Sequence, residues 1–217
     1  MRIVGGRHRG RRLVAPRGSR LRPTSDRLRE VLFDILAHRG MGSGGSPSPR
    51  GQRVLDAFAG TGALGLEALS RGAEHATFME TERQALECIR RNAAALGEDA
   101  HVDVRAADAT NPPPASPGEA CALALLDPPY GSDLARPALT ALAQRGWLAP
   151  GAVVVLEEAA PGGLAVPAGF ETLDRRVHGD AALVFLRRVT LSVGQEPRSD
   201  AAAAPTRTAP GQGRTRS

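Results

Sequence analysis

The sequence predicts an α/β fold in which a doubly wound, mostly parallel sheet ends in an antiparallel hairpin. From residue 53 onward, short apolar segments alternate with amphipathic helical patterns, an order typical of strand–helix–strand units. Near the C-terminus, two β-prone segments, 170–177 and 181–189, flank a turn at 178–180. Such a pair predicts a hairpin that closes one edge of the sheet.

The first 38 residues are predicted to form a separate basic unit made of a small hairpin and one helix. Two short β-prone pieces flank a glycine-rich turn that begins at Gly5. Apolar residues then recur at helical spacing and mark one face of a helix: Leu28, Val31, Leu32, Ile35 and Leu36. The segment 39–52 is rich in Gly, Ser and Pro, which predicts a flexible linker.

The segment 53–190 is predicted to be the main domain. Its apolar runs predict strands at 53–58, 75–80, 102–106, 121–126 and 152–157. The patterns between them predict helices at 63–71, 82–96 and 133–145. From 191 to the end Ala, Pro, Thr, Gly and Arg dominate, and a disordered tail is expected.

Charge is distributed unevenly along the chain. All 28 basic residues are arginine, and the net charge is +5. Residues 1–30 hold ten arginines against two acids, a net charge of +8, whereas residues 31–188 hold 14 against 19 acids, a net charge of −5. A basic arm favours a polyanionic partner, because guanidinium groups grip phosphate oxygens. A solvated basic face and a targeting arm are the alternatives.

The arginines expected to hold the phosphates of a nucleic acid are Arg7, Arg9, Arg11, Arg12 and Arg22. Other classes of protein and site are disfavoured. No apolar run approaches the roughly 20 residues of a membrane span, and no apolar signal core follows the charged N-terminus. We therefore expect a cytoplasmic protein without a membrane partner, acting as a monomer. Neither the two cysteines nor the five histidines have the spacing of metal ligands, so no metal site is expected.

A glycine-rich turn after the first strand of the main domain predicts a nucleotide-like ligand. Gly60, Gly62 and Gly65 fit the pattern GxGxxG, in which glycine allows a tight turn and close approach of a ligand. Enzymes that bind NAD, FAD or S-adenosylmethionine share this pattern. Glu80 ends the second strand, where a carboxylate can accept both ribose hydroxyls, a feature that fits NAD as well as S-adenosylmethionine.

Two further acids favour S-adenosylmethionine as the cofactor. Asp56 precedes Gly60 by four residues. A carboxylate at this point would attract a cationic amino group but would repel the pyrophosphate of a dinucleotide. Asp108, just past the third strand, could accept a hydrogen bond from an adenine amino group, although a loop or capping role would explain it equally.

A rigid group of hydrogen-bond acceptors follows the fourth strand, in the tetrapeptide Asp127-Pro128-Pro129-Tyr130. The two prolines fix the backbone and lack N–H donors, which leaves carbonyls and one carboxylate as acceptors. Ligands of open α/β sheets bind at the carboxyl ends of strands, so this tetrapeptide should face the glycine turn. The acceptors suit an exocyclic amine on a base, and Tyr130 could stack on that base. The alternative is a proline-rich turn with an exposed tyrosine.

Together these motifs resemble enzymes that methylate adenine N6 or guanine N2, and more narrowly the RsmD family. The matching stretches are the opening Met1-Arg2-Ile3-Val4-Gly5-Gly6, the segment 22–30 beginning Arg-Pro-Thr-Ser-Asp, the segment 56–72 with its Asp-x-Phe-x-Gly-x-Gly pattern, and 127–130. The resemblance extends to about residue 188 and leaves out the linker and the tail. It departs in the all-arginine arm and in Thr61, which is often Ser in the family.

This resemblance implies a Rossmann-like class I S-adenosylmethionine-dependent methyltransferase domain with seven strands. It implies transfer of a methyl group to a guanine N2 of 16S ribosomal RNA in a small-subunit particle. The residues implied to hold S-adenosylmethionine are Thr24, Asp56, Phe58, Gly60, Gly62, Glu80 and Asp108. Those implied to hold the guanine amine are Asp127, Pro128, Pro129 and Tyr130.

Three other functions remain open from the sequence. The same chemistry could act on an adenine N6 in RNA or DNA, although no separate target-recognition domain is apparent. A non-catalytic RNA-binding protein with a methyltransferase fold is disfavoured by the intact acids at 56, 80, 108 and 127. An NAD-dependent oxidoreductase would leave the tetrapeptide at 127–130 unexplained.

Overall fold

The computed structural model describes residues 1–15, 25–38 and 48–190. Its strands are β1 Arg53–Ala57, β2 His75–Glu80, β3 Val102–Ala106, β4 Cys121–Leu126, β5 Leu148–Ala159, β6 Phe170–His178 and β7 Ala181–Arg188. Its helices are α1 Asp26–His38, α2 Ala63–Ser70, α3 Arg83–Leu96 and α4 Ala135–Gln144, with a short 3₁₀ turn at Asp99–His101. Residues 39–47 of the linker predicted at 39–52, and the tail predicted at 191–217, lie outside the described residues.

The strands form one seven-stranded sheet in the order β3-β2-β1-β4-β5-β7-β6. Strands β1 to β5 pair in parallel, whereas β7 is antiparallel to both β5 and β6. The predicted fold class, a doubly wound sheet closed by an antiparallel hairpin, is confirmed. Because β1 is central and the chain reverses its direction of progress beside it, the carboxyl ends of β1 and β4 flank a crevice.

Alternate side chains of each central strand enter different cores. In β1, Val54 packs with residues of α1, α2 and α3, whereas Leu55 packs with residues of α4. In β4, Leu123 and Leu125 belong to the first of these cores, and Ala124 belongs to the second. Helices therefore cover both faces of the sheet, which explains why these strands are apolar on both sides.

Several predicted strand boundaries differ from the observed ones, and two of these differences have a clear physical reason. The first strand ends at Ala57 because the next residue, Phe58, has a φ of 62° and leaves the extended conformation. The strand predicted at 152–157 begins earlier, at Leu148, which pairs with Cys121. A shift in register separates this pair from the rest of the ladder. The sequence Ala-Pro-Gly at 149–151 obscured the start of this strand.

The N-terminal arm, residues 1–15, is folded back against the sheet domain. Arg2 and Arg12 form an isolated antiparallel bridge, and the side chains of Ile3 and Leu13 are buried in the same core as α1. At Gly6 an added Cβ would lie 2.0 Å from the Ser70 carbonyl oxygen, so only glycine permits this approach to α2. The arm and the sheet domain thus share one core, and the proposed boundary at residue 38 stays a prediction.

Two buried acids of the sheet domain hold this arm. Glu67 accepts hydrogen bonds from the Val4 and Gly5 N–H groups, each at 2.8 Å. Oε1 of Glu98 lies 2.5 Å from both Arg7 Nη2 and His8 Nε2. Burial raises the pKa of Glu98, but the hydrogen bonds from His8 and Arg7 outweigh it, and the net pKa is lowered.

We predict that Glu98→Gln lowers the free energy of unfolding by about 2 kcal/mol near neutral pH, since hydrogen bonds to charged groups are worth about 1.5–3 kcal/mol. The pKa of Glu98 is lower in the folded state than in the unfolded state. Its contribution is therefore present above the ordinary glutamate pKa of about 4.3 and is lost as the pH falls through the folded value. Urea unfolding across this pH range measures the change.

The matched control is Glu87→Gln, which removes an exposed pair with Arg83 on α3 and should change the free energy of unfolding by less than about 0.5 kcal/mol. An equal loss in both variants, or a loss in Glu98→Gln that persists at acid pH, would contradict the role given to Glu98.

Candidate active site

A cavity of about 600 Å³ lies at the carboxyl ends of the parallel strands. Its walls come from the turn after β1, the end of β2, the residues after β3, the tetrapeptide after β4 and the end of β5. The strand order β3-β2-β1-β4-β5 makes these five ends neighbours. The predicted cofactor and amine motifs therefore meet in one cavity, as expected because ligands of open α/β sheets bind at the carboxyl ends of the strands.

The glycine turn is shaped by three residues with left-handed backbone: Phe58, Gly60 and Gly62, with φ values of 62°, 54° and 77°. Phe58 and Gly60 line the cavity. Gly62 lies behind the turn instead, where an added Cβ would be 3.1 Å from the Ile89 side chain. Gly62 therefore closes the turn against α3, and a direct contact with the cofactor stays a prediction.

Gly65 serves the packing of α2 on the sheet. An added Cβ would lie 2.4 Å from Cε1 of Phe78, which is itself fully buried on β2. The absence of a side chain lets the first turn of α2 approach β1 closely. The Gly65 N–H donates a hydrogen bond of 2.8 Å to Oδ2 of Asp56.

Asp56 is a carboxyl group taken almost completely out of water, with 1% of the residue exposed. Burial raises its pKa well above the ordinary aspartate value. The hydrogen bond from Gly65 opposes this rise, whereas the charges of Asp127 and Glu80 add to it. A cationic ligand beside Asp56 would attract its ionised form and so oppose the part of this pKa rise that comes from neighbouring charges.

Glu80 is held by backbone donors at the end of β2. Its Oε2 accepts from the Gly60 N–H at 2.8 Å, and its Oε1 accepts from the N–H groups of Thr81 and Glu82 at 2.7 and 2.8 Å. A carboxylate has about four acceptor positions, so about one remains for a ligand hydroxyl. Asp108 also lines the cavity, and its Oδ1 accepts from the N–H and the hydroxyl of Thr110, each at 2.8 Å.

The tetrapeptide at 127–130 forms the opposite wall of the cavity. Pro128 is buried, Asp127 is half-buried, and Pro129 and Tyr130 are exposed. The Pro129 carbonyl accepts a hydrogen bond of 2.5 Å from the Ser132 hydroxyl, which stabilises the turn. Tyr130 as a residue is 42% exposed, so it is open to a partner at the mouth of the cavity.

Glu157 is a site residue that the sequence reasoning missed. It lines the cavity at the carboxyl end of β5, and its Oε1 accepts a hydrogen bond of 2.6 Å from the Tyr130 hydroxyl. An available signal was its position: an acid at the end of a predicted strand of the same sheet. Met1 and Leu134 also line the cavity, and no sequence pattern indicated them.

The cavity is strongly acidic. The carboxylates that line it are Asp56, Glu80, Glu82, Asp108, Asp127 and Glu157. Among its described lining residues there is no arginine, lysine or histidine. This arrangement favours a cationic ligand such as a sulfonium with an amino group, and it disfavours the pyrophosphate of a dinucleotide. The residues present therefore fit S-adenosylmethionine.

The arginines predicted to bind phosphates differ in their surroundings. Arg7 contacts Glu98, and Arg11 donates a hydrogen bond of 2.5 Å to the Ala95 carbonyl at the end of α3. Arg9 and Arg12 are exposed. Arg22 and Thr24, the latter implied to lie beside the cofactor, both fall outside the described residues.

Other expectations concern membranes, metals and thiols. Within the described ranges, no helix is both long and apolar enough to span a bilayer, and no three acids, histidines or cysteines converge as metal ligands. Cys88 and Cys121 are both free and buried. Burial raises the pKa of Cys121 to about 12, so its thiol is inert as a nucleophile.

The sheet order, the glycine turn after β1 and the acids that follow β2 and β4 define a Rossmann-like fold of the S-adenosylmethionine-dependent methyltransferase class. The comparisons with known proteins narrow this class. The chain belongs to the family described as Conserved hypothetical protein 95, whose model matches residues 1–187. The predicted family is confirmed, and the match ends close to the predicted limit of the resemblance.

Two relatives named as ribosomal RNA methyltransferases and one solved structure are similar to this chain. The chain is 37% identical over 191 residues to Ribosomal RNA small subunit methyltransferase D of Escherichia coli K12, covering 87% of this chain and 90% of that protein. It is 33% identical over 183 residues to the protein of the same name from Haemophilus influenzae, covering 82% and 89%. The solved structure of the Escherichia coli protein yhhF matches with a TM-score of 0.72 and 34% identity, covering 87% of this chain and 98% of that one.

Proposed function

We propose that this protein transfers a methyl group from S-adenosylmethionine to the exocyclic N2 amine of a guanine in 16S ribosomal RNA, within a small-subunit particle. The strongest support is the cavity, where the tetrapeptide proposed to bind the amine faces the turn proposed to bind the cationic cofactor. The relatives named as small-subunit RNA methyltransferases support ribosomal RNA as the substrate. We expect the protein to act in the cytoplasm as a monomer.

The cofactor would lie along the turn after β1. Asp56 is proposed to hold its amino group, Glu80 a ribose hydroxyl, and Asp108 the adenine amino group, with Phe58 and Gly60 forming the adjoining wall. When bound, S-adenosylmethionine supplies a methyl group that is activated by the positive charge on sulfur. The acidic cavity suits this charge before transfer.

The tetrapeptide would prepare the amine for attack. The lone pair of a guanine N2 is delocalised into the ring, which makes the amine a weak nucleophile. The Asp127 carboxylate and the Pro128 carbonyl would accept hydrogen bonds from the N–H groups of this amine. These bonds would draw the nitrogen lone pair toward the methyl group. Asp127 can then take the proton that nitrogen loses, and Tyr130 can stack on the base. The base must be unpaired or flipped to reach this position.

The basic arm would bring the RNA to this cavity. The arm begins at Met1, which lines the cavity; its exposed Arg9 lies in the turn of the arm, and its exposed Arg12 pairs with Arg2. Arg11 links the arm to α3, where Arg90 and Arg91 are also exposed. Phosphates held on this surface would add affinity without specifying the base.

We predict that Asp127→Ala lowers methyl transfer at least about 100-fold while S-adenosylmethionine still binds, because the lost acceptor acts on the amine. Transfer of label from S-adenosylmethionine to small-subunit particles lacking the modification, followed by nucleoside analysis, measures activity. Calorimetry measures cofactor binding. Asp133→Ala, an exposed acid just beyond the tetrapeptide, is the control and should retain activity. Label recovered only in N6-methyladenosine would replace guanine by adenine as the substrate.

A second prediction concerns the pH dependence of cofactor binding. Burial raises the pKa of Asp56, and only its ionised form attracts a cation, so S-adenosylmethionine affinity should increase as the pH rises through this pKa. Asp56→Asn keeps an oxygen for the Gly65 N–H but removes the charge. It should weaken binding about 10- to 100-fold and flatten the pH dependence. Calorimetric titration across pH tests this, and an unchanged slope in the variant would exclude Asp56 as the cation site.

A third prediction tests the arm. Arg9→Ala with Arg12→Ala should weaken RNA binding and reduce the slope of log affinity against log salt by about 1.4, since each lost phosphate contact contributes about 0.7 for single strands. Arg7 and Arg11 are left unchanged because they also fix the arm to the domain. Arg136→Ala with Arg145→Ala, which removes two exposed charges at α4 on the other face of the sheet, is the control. Equal slopes in the two double variants would remove the arm from the RNA interface.

A further inference from the structure

One carboxylate oxygen of Glu157 accepts no hydrogen bond from any described residue. The residue is only 6% exposed, and its Oε2 is buried without a hydrogen-bond partner among the described residues. Its Oε1 accepts from the Tyr130 hydroxyl. An ionised carboxylate has about four acceptor positions and no donor. Because an unsatisfied buried oxygen destabilises the fold, such groups are normally completed by water or by a ligand.

The surroundings of Glu157 show which kind of ligand could complete it. Leu156 pairs with Leu126 in the parallel ladder, so Glu157 lies beside Asp127 at the carboxyl edge of the sheet. The bond from Tyr130 ties it to the same tetrapeptide. The acids proposed to bind the cofactor lie at or just beyond the carboxyl ends of β1, β2 and β3, on the other side of this tetrapeptide. Glu157 thus belongs to the part of the cavity that would hold the base.

We propose that Glu157 is a specificity-determining residue that accepts the N1–H of the target guanine. This inference rests on the proposed function. In guanine the N1–H donor is adjacent to the N2 amine, so a base whose amine meets Asp127 would present N1–H to the next acceptor along the sheet edge. Adenine carries a lone pair at N1 beside its amine, and a buried carboxylate would repel it.

The test uses 2-aminopurine, which keeps the exocyclic amine at C2 but has a lone pair at N1. Small-subunit particles are reconstituted with guanine or 2-aminopurine at the methylated position, once nucleoside mapping has located it. The wild-type protein should prefer guanine by at least about 100-fold in kcat/KM, because the analogue leaves the buried carboxylate unpaired.

Glu157→Gln should reduce this preference at least about tenfold, because the amide of glutamine can donate to the lone pair at N1. The matched control is Glu158→Gln on the same strand, whose carboxylate contacts Arg175 instead of the cavity. This control should keep the wild-type preference. Calorimetry with S-adenosylmethionine and thermal unfolding show whether each variant is folded and binds the cofactor.

The possible results separate the alternatives. If Glu157→Gln still methylates guanine N2 and keeps the wild-type preference for guanine over 2-aminopurine, the proposal is overturned. Glu157 would then only orient Tyr130 or hold a water molecule. Tyr130→Phe distinguishes these two roles. If Glu157 only orients Tyr130, Tyr130→Phe should lose as much activity as Glu157→Gln; if Glu157 holds a water molecule, it should not. Equal use of both bases by the wild-type protein would overturn the proposal even if the variant fails to fold. Methylation of adenine alone would overturn the proposed function itself.

Discussion

The hydrogen bond from the Gly65 N–H to the buried carboxyl of Asp56 sets the geometry on which the cavity depends. It joins the first turn of α2 to β1, and it forms because residue 65 has no side chain, since Phe78 occupies the space that one would need. The short connection between them must then reverse tightly, which gives Phe58 and Gly60 their left-handed backbone. Residues on this connection are thereby turned toward the opposite wall of the cavity.

Burying that carboxyl has an electrostatic cost, and neighbouring acids increase it. Asp127 and Glu80 raise the pKa of Asp56 further, so the cavity without a ligand stores like-charge repulsion. A cation relieves this repulsion, whereas an anion would add to it. The same acids would therefore favour a positively charged cofactor over an anionic one. In the proposed reaction the sulfur becomes neutral after the methyl group leaves, so this part of the attraction would be lost and release of the product would be favoured.

Acids elsewhere in the domain have a different task, since they fix a basic arm. Glu67 accepts backbone N–H groups of the arm, and Glu98 neutralises Arg7. The arm consequently has a defined position, with its first residue in the wall of the cavity. Arg9 and Arg12 remain exposed on it. A small net charge thus arises from two oppositely charged surfaces, an acidic cavity and a basic arm, for which we propose separate roles.

The sequence by itself determined the fold class, the strand–helix order and the two motifs, because periodicity and turn residues are local properties. Strands β2, β3 and β4 begin and end at the predicted residues. Because parallel strands end at one edge, the sequence also placed Asp56 and Asp127 together. Only the tertiary structure revealed Glu157 beside Tyr130, Met1 in the cavity wall and Gly62 behind the turn. These contacts join distant segments, and they depend on strand order and side-chain packing, which local patterns do not encode.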